Sequence, residues 1–248
     1  MNDRIFSSET DAAGAIGAAV AAVRAGEVIV LPTDTVYGVG ADANNPDAVQ
    51  KLLDAKQRGR DFPPPVLVAE AASVLALADG VDDRVNALAE AFWPGALTLV
   101  LRSAAWVTFD LGDRGATIAV RVPDHDFTRN VLRRTGPLAV SSANVHGQDA
   151  AVTAQEAYAQ LGDLVAVYLD AGPGTGPVAS TIVDLTTAEA RVLREGRIST
   201  EQLNAVVPGL LPEPDPKPQP QPELEAEPAA SGPEADAGPE PGETPPRA

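Results

Sequence analysis

The sequence predicts an α/β domain in which a twisted, mixed β-sheet is covered by helices on its faces. Three observations predict this fold class. Helix-like and strand-like segments alternate along residues 1–206. The β-rich segments outnumber those that a strict β-α alternation requires. Apolar residues make up 44% of the 248 residues, which is enough for a sizeable core.

The predicted elements follow from local sequence patterns. The first helix lies in TDAAGAIGAAVAAVRAG and ends at Gly26, a residue type typical of helix C-termini, and the strand EVIVL follows it. A second helix begins after Asn45, a good N-cap, with Pro46 in its first turn. The remaining predicted elements are the strand PPVLVAE, the helix DDRVNALAEAFW, the strands ALTLVLR and ATIAVRVP, the helix DHDFTRNVLRRTG, the strand PLAVS, the helix TAQEAYAQLG, the strands VAVYLD, ASTIVDL and ARVLRE, and the helix STEQLNAVV.

Residues 207–248 differ in composition from the rest of the chain. They contain 13 of the 23 prolines, nine acidic residues and two basic residues. Frequent prolines remove backbone donors, and few large apolar residues are present to offset the entropy of ordering. We therefore predict a domain over residues 1–206 and a disordered Pro/Glu/Ala-rich acidic tail over residues 207–248. The tail acts either as a proline-rich partner arm or as a solubilising extension.

The charge and composition exclude several classes of protein. The net charge is −17, of which −7 belongs to the predicted tail and −10 to residues 1–206. A negative protein argues against extended, sequence-independent binding to nucleic acid, because that mode requires a basic face. No apolar run reaches the roughly 18 residues that a membrane span needs. The N-terminus lacks the basic and apolar regions of a signal peptide, so we expect a cytoplasmic protein that does not bind membranes.

Several common catalytic designs are absent from the sequence. The chain has no cysteine, no G-x-x-x-x-G-K-[ST] motif and no G-x-S-x-G motif. The glycine-rich segment GPGTG at residues 172–176 does not open a helix, as a dinucleotide-binding motif must. His125 and His146 are not at metal-ligand spacing, so we predict no dedicated metal site in the protein. We interpret each histidine as a residue of a helix start or a loop.

The turn PTDT follows the strand EVIVL and offers polar groups at a strand end, where ligand crevices form in α/β sheets. In the simplest interpretation Thr33, Asp34 and Thr35 only form a turn, and Tyr37 fills core space. The alternative is a binding site. Asp34 is the nearest candidate for a general base, but a turn-forming or supporting role is the simpler interpretation.

Three cations lie within residues 56–60, one helix after this turn. Lys56 near a helix C-terminus is also explained by the helix dipole alone. However, Lys56 as a point charge and Arg58 as a planar fork together suit a polyphosphate. The proximity in sequence of these cations to the polar turn favours an anion-binding site.

A second polar cluster and two arginines complete the candidate site. Ser141, Ser142 and Asn144 follow an apolar strand, and they form either a ligand-binding loop or a simple polar turn. Arg121 ends an apolar run and needs an anionic partner, which is either a structural carboxylate or a ligand. Arg194 also lies at a strand end.

The ordered motifs LPTDTVYGVGADA, KQR, FWPGALTLVL, IAVRVPDH, SSAN, STIVDL and VLREG span about residues 15–205, and they resemble the YrdC family, the L-threonylcarbamoyladenylate synthases. The resemblance implies a twisted α/β domain with a large concave, cationic cavity. It also implies conversion of L-threonine, bicarbonate and ATP, with Mg²⁺, to threonylcarbamoyl-AMP and diphosphate. The product would feed the threonylcarbamoyladenosine modification of tRNA through a separate transferase complex.

The resemblance also implies roles for individual residues of this sequence. L-threonine and bicarbonate would be bound by Thr33, Tyr37, Arg121 and Ser180. ATP would be bound by Lys56, Arg58, Thr117, Ser142, Asn144 and Arg194. The catalytic residues would be Lys56 and Arg58. Positioning and charge stabilisation supply most of the acceleration in such transfers, so no protein nucleophile is required.

The sequence departs from the family pattern in three motifs. Gly59-Arg60 follows Arg58 where the family has Lys-x-Arg-Pro, DFPPPVLV replaces a single Pro-Leu pair, and SSAN stands in place of PSAN. These departures affect the expected path of the loop after Arg58 more than the expected chemistry.

The sequence is also compatible with a second class of function, RNA binding without synthesis. YrdC-like paralogues are linked to double-stranded RNA binding and ribosome maturation, and the same cavity would then hold RNA without synthesis. Retention of KQR and SSAN favours synthesis. A gel-shift titration across salt would separate the two, because phosphate-driven binding weakens steeply with salt. Carbamoyl transfer, as in hydrogenase-maturation proteins with a related domain, is disfavoured because their acylphosphatase-like and zinc-finger modules have no counterpart in this sequence.

Overall fold

Twelve strands form one mixed sheet in the part of the chain that the structure describes. The structure is a computed structural model that describes residues 3–113 and 115–212. The strands are β1 (Ile5–Ser7), β2 (Ile29–Leu31), β3 (Gly38–Asp42), β4 (Val66–Leu67), β5 (Ala78–Asp79), β6 (Leu97–Ser103), β7 (Thr117–Arg121), β8 (Leu138–Ser142), β9 (Val167–Asp170), β10 (Thr181–Asp184), β11 (Arg191–Arg194) and β12 (Leu211–Pro212). Their order is β1-β9-β2-β3-β8-β4-β7-β6-β10-β11-β12, and β5 pairs with β6.

Seven α-helices accompany the sheet within the described residues. They are α1 (Ala12–Arg24), α2 (Pro46–Ala55), α3 (Ala71–Leu77), α4 (Asp83–Phe92), α5 (Asp126–Thr135), α6 (Ala154–Leu161) and α7 (Thr200–Val206). Asn45 caps α2 as predicted, because its side chain accepts from two backbone N–H groups of the first turn. Ser199 caps α7 in a reciprocal capping box with Gln202.

Parallel and antiparallel pairs occur side by side in the centre of the sheet. β3 pairs antiparallel with both β2 and β8, whereas β7 pairs parallel with β4 and antiparallel with β6. β2 is buried along its whole length, as expected for a strand covered on both faces. The prediction of a twisted mixed sheet with flanking helices is therefore confirmed.

Strand β3 was not predicted, because its glycines weaken the strand pattern. The structure gives a reason for at least one of them. A Cβ atom on Gly38 would approach the Cγ1 atom of Val140 in β8 to 2.6 Å. Glycine at this position therefore allows β3 and β8 to pack closely beside the candidate site. The other elements missed from the sequence are short, with little periodic signal: β1, β5, β12 and α3.

The boundary at residue 206 stays a prediction. β12 pairs with β11 and Leu210 is buried, so the sheet continues six residues past that boundary, to Pro212. Residues 213–248, which make up most of the predicted tail, lie outside the described residues. Of the helices in the described ranges, none combines the length and the apolar character needed to cross a bilayer.

Candidate active site

A cleft is lined by residues of the central strands of the sheet and of the loops that adjoin them. It holds about 760 Å³ of empty space, part of which is open solvent. The seven neighbouring strands from β3 to β11 each contribute at least one lining residue. Three of the lining residues are arginines, Arg58, Arg121 and Arg194, and no acidic residue occurs among the described residues that line the cleft. The cleft is therefore cationic in a protein whose net charge is −17.

Arg121, the last residue of β7, has a protein partner for every part of its guanidinium. Nη2 donates to Asp34 Oδ1 (2.6 Å), Nη1 to Thr35 Oγ1 (3.0 Å) and Nε to the carbonyl oxygen of Gly95 (2.9 Å). Only 6% of the residue is exposed. Burial lowers the pKa of Arg121, and the negative charge of Asp34 opposes this shift. The sequence left open whether the anionic partner of Arg121 is a structural carboxylate or a ligand, and the structure places the carboxylate of Asp34 against Arg121.

The PTDT turn is closed by its own side chains. Thr33 Oγ1 accepts from the backbone N–H of Thr35 (3.1 Å) and donates to the carbonyl oxygen of Val36 (2.7 Å). Asp34 Oδ1, besides binding Arg121, accepts from the backbone N–H of Asp124 (3.1 Å). Asp34 is thus occupied in supporting the turn and Arg121, which matches the simpler interpretation of this carboxylate.

Arg194 at the end of β11 is held by the residue that precedes β10. Its Nε and Nη2 atoms donate to the carbonyl oxygen of Ser180 (3.1 and 2.8 Å), and Nη2 also donates to Ser180 Oγ (3.2 Å). Ser180 Oγ lies 3.0 Å from Thr98 Oγ1 on β6. Loss of hydration lowers the pKa of Arg194, and the charges of Arg121 and Arg58 add to the effect. The three guanidinium groups therefore repel one another, and a bound anion would relieve that repulsion.

Arg58 follows α2 and lines the cleft beside β8, whereas Arg194 lies on β11 at the other side of the cleft. Its Nη1 atom donates to Ser141 Oγ on β8 (3.2 Å). Its Nε atom is buried and has no hydrogen-bond partner among the described residues. Burial lowers the pKa of Arg58 as well. A buried donor without a partner costs about 1–3 kcal/mol, so it calls for an explanation such as a bound water or a catalytic role of the side chain.

Lys56 lies behind the cleft rather than on its surface, and only 1% of it is exposed. Its Nζ atom donates to the carbonyl oxygens of Ser142 (2.5 Å) and Asn144 (2.8 Å) and to Asn144 Oδ1 (3.4 Å). The amide of Asn144 in turn donates to the carbonyl oxygens of Val145 and Gln148 (both 2.8 Å). Lys56 and Asn144 thus hold the SSAN loop in shape. Their contact with ATP stays a prediction, and the geometry favours a positioning role for both.

The pKa of Lys56 provides a test of this placement. Burial, followed by the charge of Arg58, lowers the pKa to about 8. In the unfolded chain the value is about 10.4, so the unfolded state binds more protons between these two pH values. The contribution of Lys56 to stability is therefore fully present above about pH 10.4, and it is lost as the pH falls through about 8.

Replacing Lys56 by methionine should remove this pH dependence. We expect the stability of the wild type, relative to that of Lys56→Met, to increase by about 2–3 kcal/mol between pH 7 and pH 10. Urea denaturation of both proteins at these pH values measures the difference. A constant difference would mean that the pKa of Lys56 is not lowered. Lys51→Met is a suitable control, because Lys51 pairs with Glu27 on the surface.

Tyr37 connects the cleft to the glycine-rich loop between β9 and β10. Its hydroxyl donates to the carbonyl oxygen of Gly172 (2.6 Å) and accepts from the backbone N–H of Ala171 (3.2 Å). Burial raises the pKa of Tyr37 to about 12, so the hydroxyl stays protonated at neutral pH. As the sequence indicated, the GPGTG segment does not open a helix. It lies in the loop between β9 and β10, which is hydrogen-bonded to Tyr37.

Most residues predicted for the site line the cleft: Thr33, Tyr37, Arg58, Arg121, Ser142, Ser180 and Arg194. Thr117 begins the strand that Arg121 ends and shares a face with it, but it is not among the lining residues. The sequence analysis did not single out Thr98, Pro63 or Pro65, which also line the cleft, whereas Ser141 lines it as a member of the second polar cluster. Thr98 had a usable signal, because it is a lone hydroxyl in the apolar strand ALTLVLR.

Neither histidine lines this cleft. His125 caps α5 as a residue of a helix start, because its Nδ1 atom accepts from the backbone N–H of Thr128 (3.3 Å). Burial lowers the pKa of His125, which favours the neutral ring that can accept this bond. His146 lies in the loop after SSAN. Residues 3–113 and 115–212 contain no group of three or more acidic or histidine side chains arranged to hold a metal ion.

Residues 21–196 match the Sua5/YciO/YrdC family model, whose description is telomere recombination. The chain therefore belongs to the Sua5/YciO/YrdC family, and the resemblance found in the sequence is confirmed. A Mycobacterium tuberculosis (strain H37Rv) protein, assigned by name to the threonylcarbamoyl-AMP synthases, is 50% identical over 192 residues, or 77% of this chain and 88% of that protein. The Bacillus subtilis threonylcarbamoyl-AMP synthase is 36% identical over 194 residues, which are 77% of this chain and 56% of that protein.

Solved structures give the same fold. Pyrococcus abyssi Sua5 complexed with L-threonine superposes with a TM-score of 0.79 at 29% identity, over 85% of this chain. The chain spans 62% of that Sua5 chain. Escherichia coli YciO superposes with a TM-score of 0.69 at 25% identity, over 76% of this chain and 92% of YciO. The predicted fold class is confirmed, and the names of the relatives support an enzyme of the threonylcarbamoyl-AMP synthase kind.

Proposed function

We propose that this protein makes L-threonylcarbamoyl-AMP from L-threonine, bicarbonate and ATP with release of diphosphate. The observation that carries the proposal is the cleft itself, where Arg58, Arg121 and Arg194 converge and the described lining residues include no carboxylate. Such a site suits a substrate set with a triphosphate and two carboxylate-like anions. This synthesis would be the first step of threonylcarbamoyladenosine modification of tRNA in the cytoplasm, and a separate transferase complex would use the product.

The cleft offers different groups to the two larger substrates. Arg58 and Arg194 line the cleft, and the hydrogen bonds from their guanidinium groups go to uncharged oxygens of Ser141 and Ser180, so we assign the triphosphate to them. Arg121 is fixed by Asp34, and we assign the threonine carboxylate to its side of the cleft, beside Thr33 and Ser180. The Pyrococcus abyssi relative, solved with L-threonine, supports the amino-acid substrate.

The chemistry requires positioning more than a protein nucleophile. The neutral amine of threonine attacks the carbon of bicarbonate, water leaves, and an oxygen of the resulting carbamate attacks the α-phosphorus of ATP. The bond from the α-phosphorus to the bridging oxygen breaks, and diphosphate leaves with the electron pair. Fixed cations stabilise the negative charge that develops on the phosphate oxygens, which is commonly the largest single contribution to catalysis.

Magnesium would enter with ATP as part of the substrate complex. Mg²⁺ keeps several water ligands and is held mainly by phosphate oxygens, so few protein ligands are needed. The residues of the cleft fit this arrangement, because arginines bind the phosphate oxygens that the metal does not use.

A product assay tests the proposal directly. Purified full-length protein is incubated with ATP, magnesium, bicarbonate and labelled threonine, and the products are separated by chromatography. We expect a labelled adenylate and one equivalent of diphosphate, and neither should form when threonine or bicarbonate is omitted. Diphosphate release without threonine, or threonine label in no adenylate, would refute the proposed reaction.

A further inference from the structure

Phe62 lies in the segment DFPPPVLV, where this chain departs from its family pattern, and its ring contacts both Arg58 and the ring of His146. Phe62 has 47% of its surface exposed, although large apolar side chains are usually buried. The centroids of the Phe62 and His146 rings are 5.9 Å apart, with an angle of 37° between the ring planes. His146 is also exposed. The pair therefore presents an aromatic surface to solvent.

We propose that Phe62, with His146 beside it, is the surface on which the base of the bound nucleotide stacks. The inference rests on the proposed function, because it places the base of the same ATP whose phosphates occupy the cleft. The surface would contribute affinity for a nucleotide without selecting adenine, since every base has a π-face.

Arg58 connects this surface to the cleft. Its Cζ atom lies 4.9 Å from the centroid of the Phe62 ring, while its Nη1 atom donates to Ser141 Oγ within the cleft lining (3.2 Å). A phosphate bound by Arg58 is therefore separated from the Phe62 ring by a single guanidinium group. The phosphate end and the base end of one nucleotide can occupy the two sides of that group.

The surrounding chain holds the two rings in place. Pro63 and Pro65, next to Phe62, line the cleft, and proline restricts the backbone. The backbone N–H of His146 donates to the carbonyl oxygen of Lys56 (2.8 Å), which ties its loop to the end of α2. The backbone that carries the two rings is thus restrained, which reduces the conformational entropy lost when a base stacks on them.

Binding measurements with and without a base test the proposal. Calorimetry with full-length protein and magnesium gives Kd for ATP, GTP and inorganic triphosphate. We expect Phe62→Ala to raise Kd for ATP and for GTP about 10-fold and to leave Kd for triphosphate within about 2-fold. Phe62→Tyr should restore nucleotide affinity. Trp106→Ala is the matched control, because Trp106 is 71% exposed and does not line the cleft.

Three outcomes would overturn the inference. The first is an unchanged Kd for ATP in Phe62→Ala. The second is an equal rise for ATP and triphosphate, which would mean that Phe62 only positions Arg58. The third is a wild type that binds ATP no more tightly than triphosphate. Failure of the proposed function has a different signature. A protein that binds ATP in a Phe62-dependent way but forms no threonylcarbamoyl-AMP would refute the proposed reaction and leave the stacking surface in place.

Discussion

Replacing Arg58 by alanine should lower the threonine-dependent release of diphosphate by about 10²-fold or more. Arg58 lines the cleft, and its Nη1 atom donates to the neutral hydroxyl of Ser141, so the guanidinium keeps its charge for the transferring phosphate. Removing a fixed positive group from a site of this kind removes transition-state stabilisation. Steady-state assays of diphosphate release, with threonine and ATP each varied, measure the effect.

Two further variants make this result specific. Arg58→Lys should recover only part of the activity, because lysine keeps the charge but loses the planar fork. Arg60→Ala is the matched control, since Arg60 lies two residues away and pairs with Asp110 on the surface. Equal activity of Arg58→Ala and the wild type would remove Arg58 from the reaction.

Replacing Arg121 by alanine should lower the free energy of unfolding by about 3–5 kcal/mol. The substitution leaves Asp34, whose side chain is 15% exposed, without its guanidinium partner, and it also removes the donor to Thr35. A charge that is largely buried and loses its partner carries its desolvation cost uncompensated. Urea denaturation of the wild type and the variant measures the loss, and activity should be lost as well because the PTDT turn depends on the pair.

The double variant separates the ion pair from general packing. If the two side chains act together, Arg121→Ala/Asp34→Ala should be less destabilised than the sum of the single variants. Lys51→Ala provides the surface comparison, because the exposed pair with Glu27 should contribute no more than about 1 kcal/mol. Strict additivity at positions 121 and 34 would contradict the contact that the structure shows.

Local sequence patterns were sufficient for most of the fold. The Asn45-Pro46 start of α2 and the Ser199 cap of α7 have side-chain signals within one turn of the helix. β3 had no such signal. Its glycines are required by the approach of Val140 on β8, a residue that lies about 100 positions later in the chain and that no local pattern connects to Gly38.

In the candidate site, too, local patterns were informative and long-range contacts were not predictable. Sequence patterns and the family resemblance identified many of the polar residues that line the cleft, but not what each side chain contacts. Arg121 meets Asp34, 87 residues earlier, and Lys56 meets Asn144, 88 residues later. Both are tertiary contacts. Lys56 looked like a free phosphate-binding cation beside Arg58, and only the fold shows that the carbonyl oxygens of the SSAN loop use its ammonium.

A crystal structure of the full-length protein with magnesium, a non-hydrolysable ATP analogue and L-threonine tests the central claim most directly. We expect phosphate oxygens within hydrogen-bond distance of Arg58 and Arg194, and the threonine carboxylate on the Arg121 side of the same cleft. Lys56 should keep its bonds to Ser142 and Asn144. A triphosphate bound outside the cleft, or away from Arg58 and Arg194, would contradict the account.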